Sequence, residues 1–160
     1  MKQKIDQSLV RKQEAETNLK LGRGGIREVE FFIQALQLIH AGRTPSLREK
    51  NSLRALARLE QEGIIQPEVH RVLRDAYIFL RNVEHRIQVV QERQTHNLPT
   101  APPEYLALAR RCGFATADEF RAALKQHRDG IETIYHDLFY TSEEEARDEI
   151  RPEASFLLDP

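Results

Sequence analysis

Three cations, Lys20, Arg23 and Arg27, surround three glycines, Gly22, Gly24 and Gly25, within the stretch Asn18–Phe32, NLKLGRGGIREVEFF. Residues of these types at this spacing point to anion binding. Glycine lets the backbone approach a ligand closely, and a helix start offers N–H groups and the positive end of a dipole. Leu19-Lys20-Leu21 alternates like a short extended segment, and an amphipathic pattern restarts at Ile26. The stretch therefore predicts an extended segment, a glycine turn and a helix N-terminus in succession, a corner suited to phosphate or carboxylate. It matches neither the Walker P-loop nor the dinucleotide G-x-G-x-x-G fingerprint, whose third glycine is absent. A plain glycine turn between a connector and a helix, with solvated arginines, accounts for the same residues.

Other chemistries find less support. Glu28 and Glu30 are two apart, which on a strand would place both carboxylates on one face. On a helix they diverge by about 200°, too far to converge on one metal ion. The six histidines, His40, His70, His85, His96, His127 and His136, show no H-x-x-x-H or H-E-x-x-H pairing, and Cys112 is the only cysteine. Surface or capping histidines, and no metal site, are the expectation. No G-x-S-x-G nucleophile motif occurs. Arg71, Arg74, Arg81, Arg86 and Arg93 make a basic stripe that RNA would suit. Interleaved Asp75, Glu84 and Glu92, without aromatic stacking platforms, favour an ion-paired solvent face. Glu84 beside Arg81 reads as routine helix surface, worth about 0.3–0.5 kcal/mol.

The elements that position the corner read as helices. Of 160 residues, 40% are hydrophobic and 31% charged, and seven prolines and seven glycines leave room for long helices. The net charge of −1 creates no global field for nucleic acid or an anionic membrane, and no apolar run reaches membrane-spanning length. The single cysteine fits a reducing, cytoplasmic setting. Residues 1–17 predict a charged helix arriving from a preceding module, 18–150 a helical bundle, and 151–160 a tail or linker. Within the bundle, Ile26–Ala41 carries apolar residues at 26, 29, 32, 33, 36 and 39, with Phe31, Ala35 and Leu38 widening the arc. That pattern predicts a central helix covered on more than one side and stopped by Gly42, with Phe31 and Phe32 in the core. A second helix is expected over Leu47–Glu62, with a break near Asn51-Ser52. A long third helix starts at Pro67 and runs to about Gln94, striped by Val69, Leu73, Ala76, Tyr77, Leu80, Val83, Ile87 and Val90. A short helix follows at Glu104–Arg111. The Thr116-x-x-Glu119 capping box then opens a last helix, which Gly130 would loosen. The fold class is all-α, an elongated bundle of about five or six helices.

The run KLGRGGIREVEFFIQALQLIHAGRTPSL resembles the K-x-G-x-GG-I-R-E-I-E-F segment of the bacterial glutamine synthetase adenylyltransferase/adenylyl-removing enzymes. Likeness continues through AYIFLRNVEHRIQ and QTHNLPT, covering roughly residues 18 to 100. That family carries two nucleotidyltransferase modules, each followed by a helical domain, and the I-R-E-V-E-F wording is more similar to the segment after the first, adenylyl-removing module. A related segment follows the catalytic core of the uridylyltransferases that act on the PII protein. The resemblance implies magnesium-dependent transfer of AMP from ATP to a tyrosine of glutamine synthetase, and phosphorolytic removal of that AMP. Mg2+, ATP, AMP and phosphate would belong to the parent enzyme. The family's Gly-Ser turn with paired acidic residues is absent here, so the chain alone is expected to be inactive. With the physics of the helix start, the resemblance assigns the phosphate or nucleotide border to Lys20, Arg23, Gly24, Gly25, Arg27 and Glu28. Implied partners are the nucleotidyltransferase module in cis, glutamine synthetase and PII, with no nucleic acid or membrane. The alternative is a regulatory module that binds PII or glutamine synthetase, its glycine corner only a hinge.

Overall fold

The computed structural model describes residues 16–91 and 95–149. Five α-helices make up this part: α1 (Ile26–His40), α2 (Ser52–Gln61), α3 (Pro67–Gln91), α4 (Pro102–Arg111) and α5 (Ala117–Glu149), with a 3-10 turn at Pro45–Leu47. The all-α bundle predicted from the sequence is what forms. The expected helix over 1–17 lies outside the described residues except for Glu16 and Thr17, which are helical. Arg93 and the tail at 151–160 also lie outside them.

Local chemistry sets the boundaries. Asn51 Oδ1 accepts the Arg54 amide at 3.1 Å, so the break expected near Asn51-Ser52 is a helix N-cap. At the other end of α2, Gly63 has φ +70°, its amide reaches the Glu60 carbonyl, and the Ile64 amide reaches Leu59. This is a Schellman stop. Pro67 begins α3, where its lack of an N–H costs nothing. Thr116 and Glu119 form the expected capping box: Glu119 donates its amide to Thr116 Oγ1 at 3.2 Å, and its carboxylate accepts the Thr116 amide at 3.2 Å. Gly130 does not interrupt α5, which stays helical past it. A Cβ there would sit 2.9 Å from Val72 Cγ1, so the glycine marks where α5 and α3 pass closely.

The hub is α3, not α1. At 25 residues it is about 37 Å long, and it packs against all four other helices. Leu73, Ala76, Leu80, Val83 and Ile87 of its stripe are buried, while Val69 and Tyr77 are partly so. In α1 the buried face is Ile26, Val29, Phe32, Ile33 and Leu36. Phe31, Leu38 and Ile39 are 42%, 86% and 68% exposed, which corrects the expectation of a helix covered on several sides. Helix α1 packs on α2, α3 and α5 through one face only, so a wide apolar arc leaves its flank in solvent. The arc alone could not tell a covered flank from an open one.

At the middle of α3, Phe79 meets Phe114 edge-on at 6.2 Å, and Phe120 packs against Tyr105 at 5.3 Å. His127 of α5 stacks on Phe79 at 4.5 Å, and burial pushes its pKa below the ordinary value, opposed by the Asp75 carboxylate. A depressed histidine binds its proton more weakly in the fold than in the open chain. Its contribution to stability is therefore complete above the ordinary value of about 6.5 and is lost as pH falls through the folded value. His127→Gln is expected to flatten the acid limb of melting temperature against pH below about 6.5. An unchanged limb would assign that slope to other groups.

Candidate phosphate-facing corner

The glycine stretch folds as a tight knot, not as an extended segment running into an open helix start. Residues 19–21 are turns, and the extended pairing there is one antiparallel bridge between Asn18 and Asn97. Asn18 organises the knot. Its Oδ1 accepts the Lys20 amide at 2.9 Å and the Leu21 amide at 2.7 Å, and its carbonyl accepts the Gly22 amide at 3.1 Å. This is the local side-chain turn that asparagine favours. The loop after α3 closes the other side: the Leu19 amide donates to the His96 carbonyl at 2.8 Å, and the Leu98 amide to the Thr17 carbonyl at 2.9 Å.

Four N–H groups at this helix start, those of Gly24, Ile26, Arg27 and Glu28, are engaged within the fold, so the start is less open than the sequence suggests. The Ile26 amide donates to the Leu19 carbonyl at 3.0 Å, Arg27 to Lys20 at 3.1 Å, and Glu28 to Gly25 at 3.1 Å. The Gly24 amide donates to Glu28 Oε2 at 3.0 Å. Backbone chain reversal satisfies these donors because the turn returns the 19–20 carbonyls over the first helical turn. Gly24 and Gly25 are buried. Gly24, at φ +61°, lies so close to α5 that a Cβ would fall 2.2 Å from the Arg128 carbonyl oxygen. A Cβ on Gly25 would fall 2.6 Å from the Gly22 oxygen. At both positions a side chain would run into backbone.

The side chains divide. Arg23 is exposed and pairs with Glu132 of α5 at 3.2 Å. Arg27 lies over the Phe31 ring at 4.8 Å and 3.9 Å from Glu30. Glu28 is half-buried, and burial raises its carboxyl above the ordinary value; the Gly24 amide works against that shift, as do Arg128 and Arg23, while Glu132 adds to it. Lys20 is half-exposed, and no carboxylate pairs with it among the described residues. Arg23 and Glu28 therefore share one charge cluster, Arg27 turns along α1, and Lys20 stands apart. Phe32 is core and Phe31 is not.

The implied magnesium has no seat in this set. Glu28 faces the Gly24 amide, whereas Glu30 accepts from Arg81 at 2.7 Å, so the two carboxylates serve different partners, as helix geometry requires. Among the described residues no three His, Cys, Asp or Glu gather as a metal would need. None of the described helices is long and apolar enough to cross a membrane.

Two features were not legible in the sequence. Glu84, read as surface, is 5% exposed. It accepts from Arg81 Nη1 at 2.8 Å and lies 2.5 Å from His96 Nδ1, while Arg81 also touches the Tyr77 hydroxyl at 3.1 Å. Burial alone would lower the Arg81 pKa, and its Tyr77 and Glu84 contacts more than reverse that, so the guanidinium stays charged. Two further arginines of the stripe are ion-paired, Arg71 on Glu68 and Arg74 on Asp75. The second feature is Arg128, whose guanidinium donates to the carbonyls of Glu16 at 2.6 Å, Arg23 at 2.9 Å and Asn18 at 3.2 Å. No spacing signal links residues more than a hundred positions apart.

Comparison with known proteins agrees with the resemblance. Residues 1–139 match the family model described as GlnD PII-uridylyltransferase. A bifunctional glutamine synthetase adenylyltransferase/adenylyl-removing enzyme of Xanthobacter autotrophicus is 50% identical over 122 residues, which is 76% of this chain and 12% of that protein. Enzymes of the same name from Pseudomonas putida and Nitrosococcus oceani are 43% and 39% identical over 91% and 96% of the chain. The chain spans 15% and 16% of those two relatives. With a model matched along residues 1–139 and relatives this similar, the chain belongs to the family of the bacterial bifunctional glutamine synthetase adenylyltransferase/adenylyl-removing enzymes.

Proposed function

We propose that this chain is the helical domain beside the nucleotide cleft of the adenylyl-removing module in such an enzyme. Its glycine corner presents cations to phosphate there, while the catalytic carboxylates and magnesium belong to the neighbouring module. The observation that carries this reading is Lys20, a cation without a carboxylate partner among the described residues, on backbone locked by Asn18. Arg23 and Arg27 are exposed cations of the same stretch, held by pairs with Glu132 and Glu30 worth about 1 kcal/mol or less, which a phosphate would outcompete. Gly24, Gly25 and Glu28 contribute the turn and its internal bonds. The chemistry asked of the domain is electrostatic clamping of phosphoryl oxygens during phosphorolysis of AMP-tyrosine.

The test is AMP removal from adenylylated glutamine synthetase by the full-length enzyme carrying this chain. Lys20→Ala and Arg27→Ala are each expected to lower removal about tenfold or more, the scale of one charged hydrogen bond, with AMP addition retained. Unchanged removal in both would sink the cleft reading. The exposed apolar flank of α1, with Leu38 at 86%, supports a second reading in which this domain docks PII or glutamine synthetase. That reading predicts intact removal and an altered response to PII in the same variants.

A further inference from the structure

We propose that Arg128 is a positioning residue for phosphate at this corner, setting where Lys20 and Arg23 stand without touching the ligand itself. The inference rests on the reading of Lys20 as a phosphate contact. Its warrant is geometric. A guanidinium is a planar fork of five donors, and here the fork reaches three carbonyls, Glu16, Asn18 and Arg23, which bracket Lys20 on both sides in the chain. The backbone of the same residue lies against Gly24, so Arg128 defines the turn from its main chain and from its side chain. Glu28 and Glu132 face it, as does Glu16, and they oppose the burial that lowers its pKa. The knot has its own local bonds through Asn18, but those fix its shape, not its place on the bundle. Beyond its bonds to the first turn of α1, its place is held by α5 through Arg128 and by the 96–98 loop opposite. Losing the α5 hold would let a folded knot drift, and small misplacement of a charged contact is costly in a transfer reaction.

Arg128→Lys tests this, because lysine keeps the charge but is a compact ammonium that cannot span three carbonyls. In the full-length enzyme the variant is expected to raise the KM for inorganic phosphate in AMP removal about tenfold, the scale of one charged hydrogen bond misplaced, with kcat changed less and AMP addition unaltered. Combined with Lys20→Ala, it should add less than about twofold, since residues acting through one contact are not additive. Amide exchange supplies the second measurement: faster exchange confined to Leu19–Glu28 supports positioning, and faster exchange across the whole bundle overturns it. A KM that moves with Lys20→Ala but not with Arg128→Lys overturns the inference and leaves the cleft reading standing. A KM that moves with neither sinks the cleft reading beneath it.

Discussion

Gly24→Ala is expected to destabilise this chain by about 2–5 kcal/mol. Two costs combine. The backbone at φ +61° is left-handed, which penalises an L side chain by about 1–2 kcal/mol. The new Cβ would also lie 2.2 Å from the Arg128 carbonyl oxygen and 2.7 Å from its Cα. Those atoms are the main chain of α5 and cannot swing aside, so the corner and α5 must separate, at about 1–3 kcal/mol for an overpacked contact. Gly63 separates the two terms. It has φ +70° with open space where its Cβ would go, so Gly63→Ala carries only the backbone cost. Urea melts of the two variants should differ by at least about 1 kcal/mol, the packing term. Equal losses would mean that Gly24 does not press on α5. On the proposed reading the partial reactions should differ as well: Gly63→Ala is expected to leave AMP removal intact, while Gly24→Ala moves Lys20 and Arg23 with the turn.

What the sequence disclosed follows from the range of each signal. Short-range chemistry was readable: the Thr116–Glu119 box, Pro67 at a helix start and the apolar stripe of α3 all act within a few residues. The glycine corner was readable as a special place but not in its workings. Its cations and glycines suggested open amides, and only the return of the Leu19 and Lys20 carbonyls over α1 shows those amides to be engaged. Asn18 carried a signal that could have been used, because asparagine ahead of a glycine-rich turn favours closing bonds to the amides two and three residues on. Arg128 carried none. Helix periodicity marks it as polar, and its three carbonyl partners come from a segment more than a hundred residues earlier. The openness of the Phe31–Leu38 flank was equally unreadable, since periodicity reports that a face is apolar and not what lies against it.

Glu84 is where that long-range blindness matters most for stability, and Glu84→Ala is expected to cost about 3 kcal/mol. The carboxylate is 6% exposed and sits between Arg81 at 2.8 Å and His96 at 2.5 Å. Removing one member of a buried ion set costs about 3–5 kcal/mol, because the remaining partners keep their desolvation and lose their compensation. The lower end applies here: Arg81 is 39% exposed and retains Glu30, and His96 is 31% exposed. The loss should also travel. His96 loses its side-chain anchor, and its carbonyl is the acceptor for the Leu19 amide, so the loop that clasps the glycine corner loosens with it. Amide exchange at Leu19 and Leu98 should therefore quicken more in Glu84→Ala than exchange at Leu73 or Leu80 in the middle of α3. Glu84→Gln keeps an acceptor for one partner and should lose less stability than the alanine variant. If alanine costs under about 1 kcal/mol, the trio is an ordinary surface pair in energetic terms. If the cost is full but Leu19 and Leu98 exchange no faster, Glu84 holds α3 to α1 through Arg81 alone and the corner stands without it.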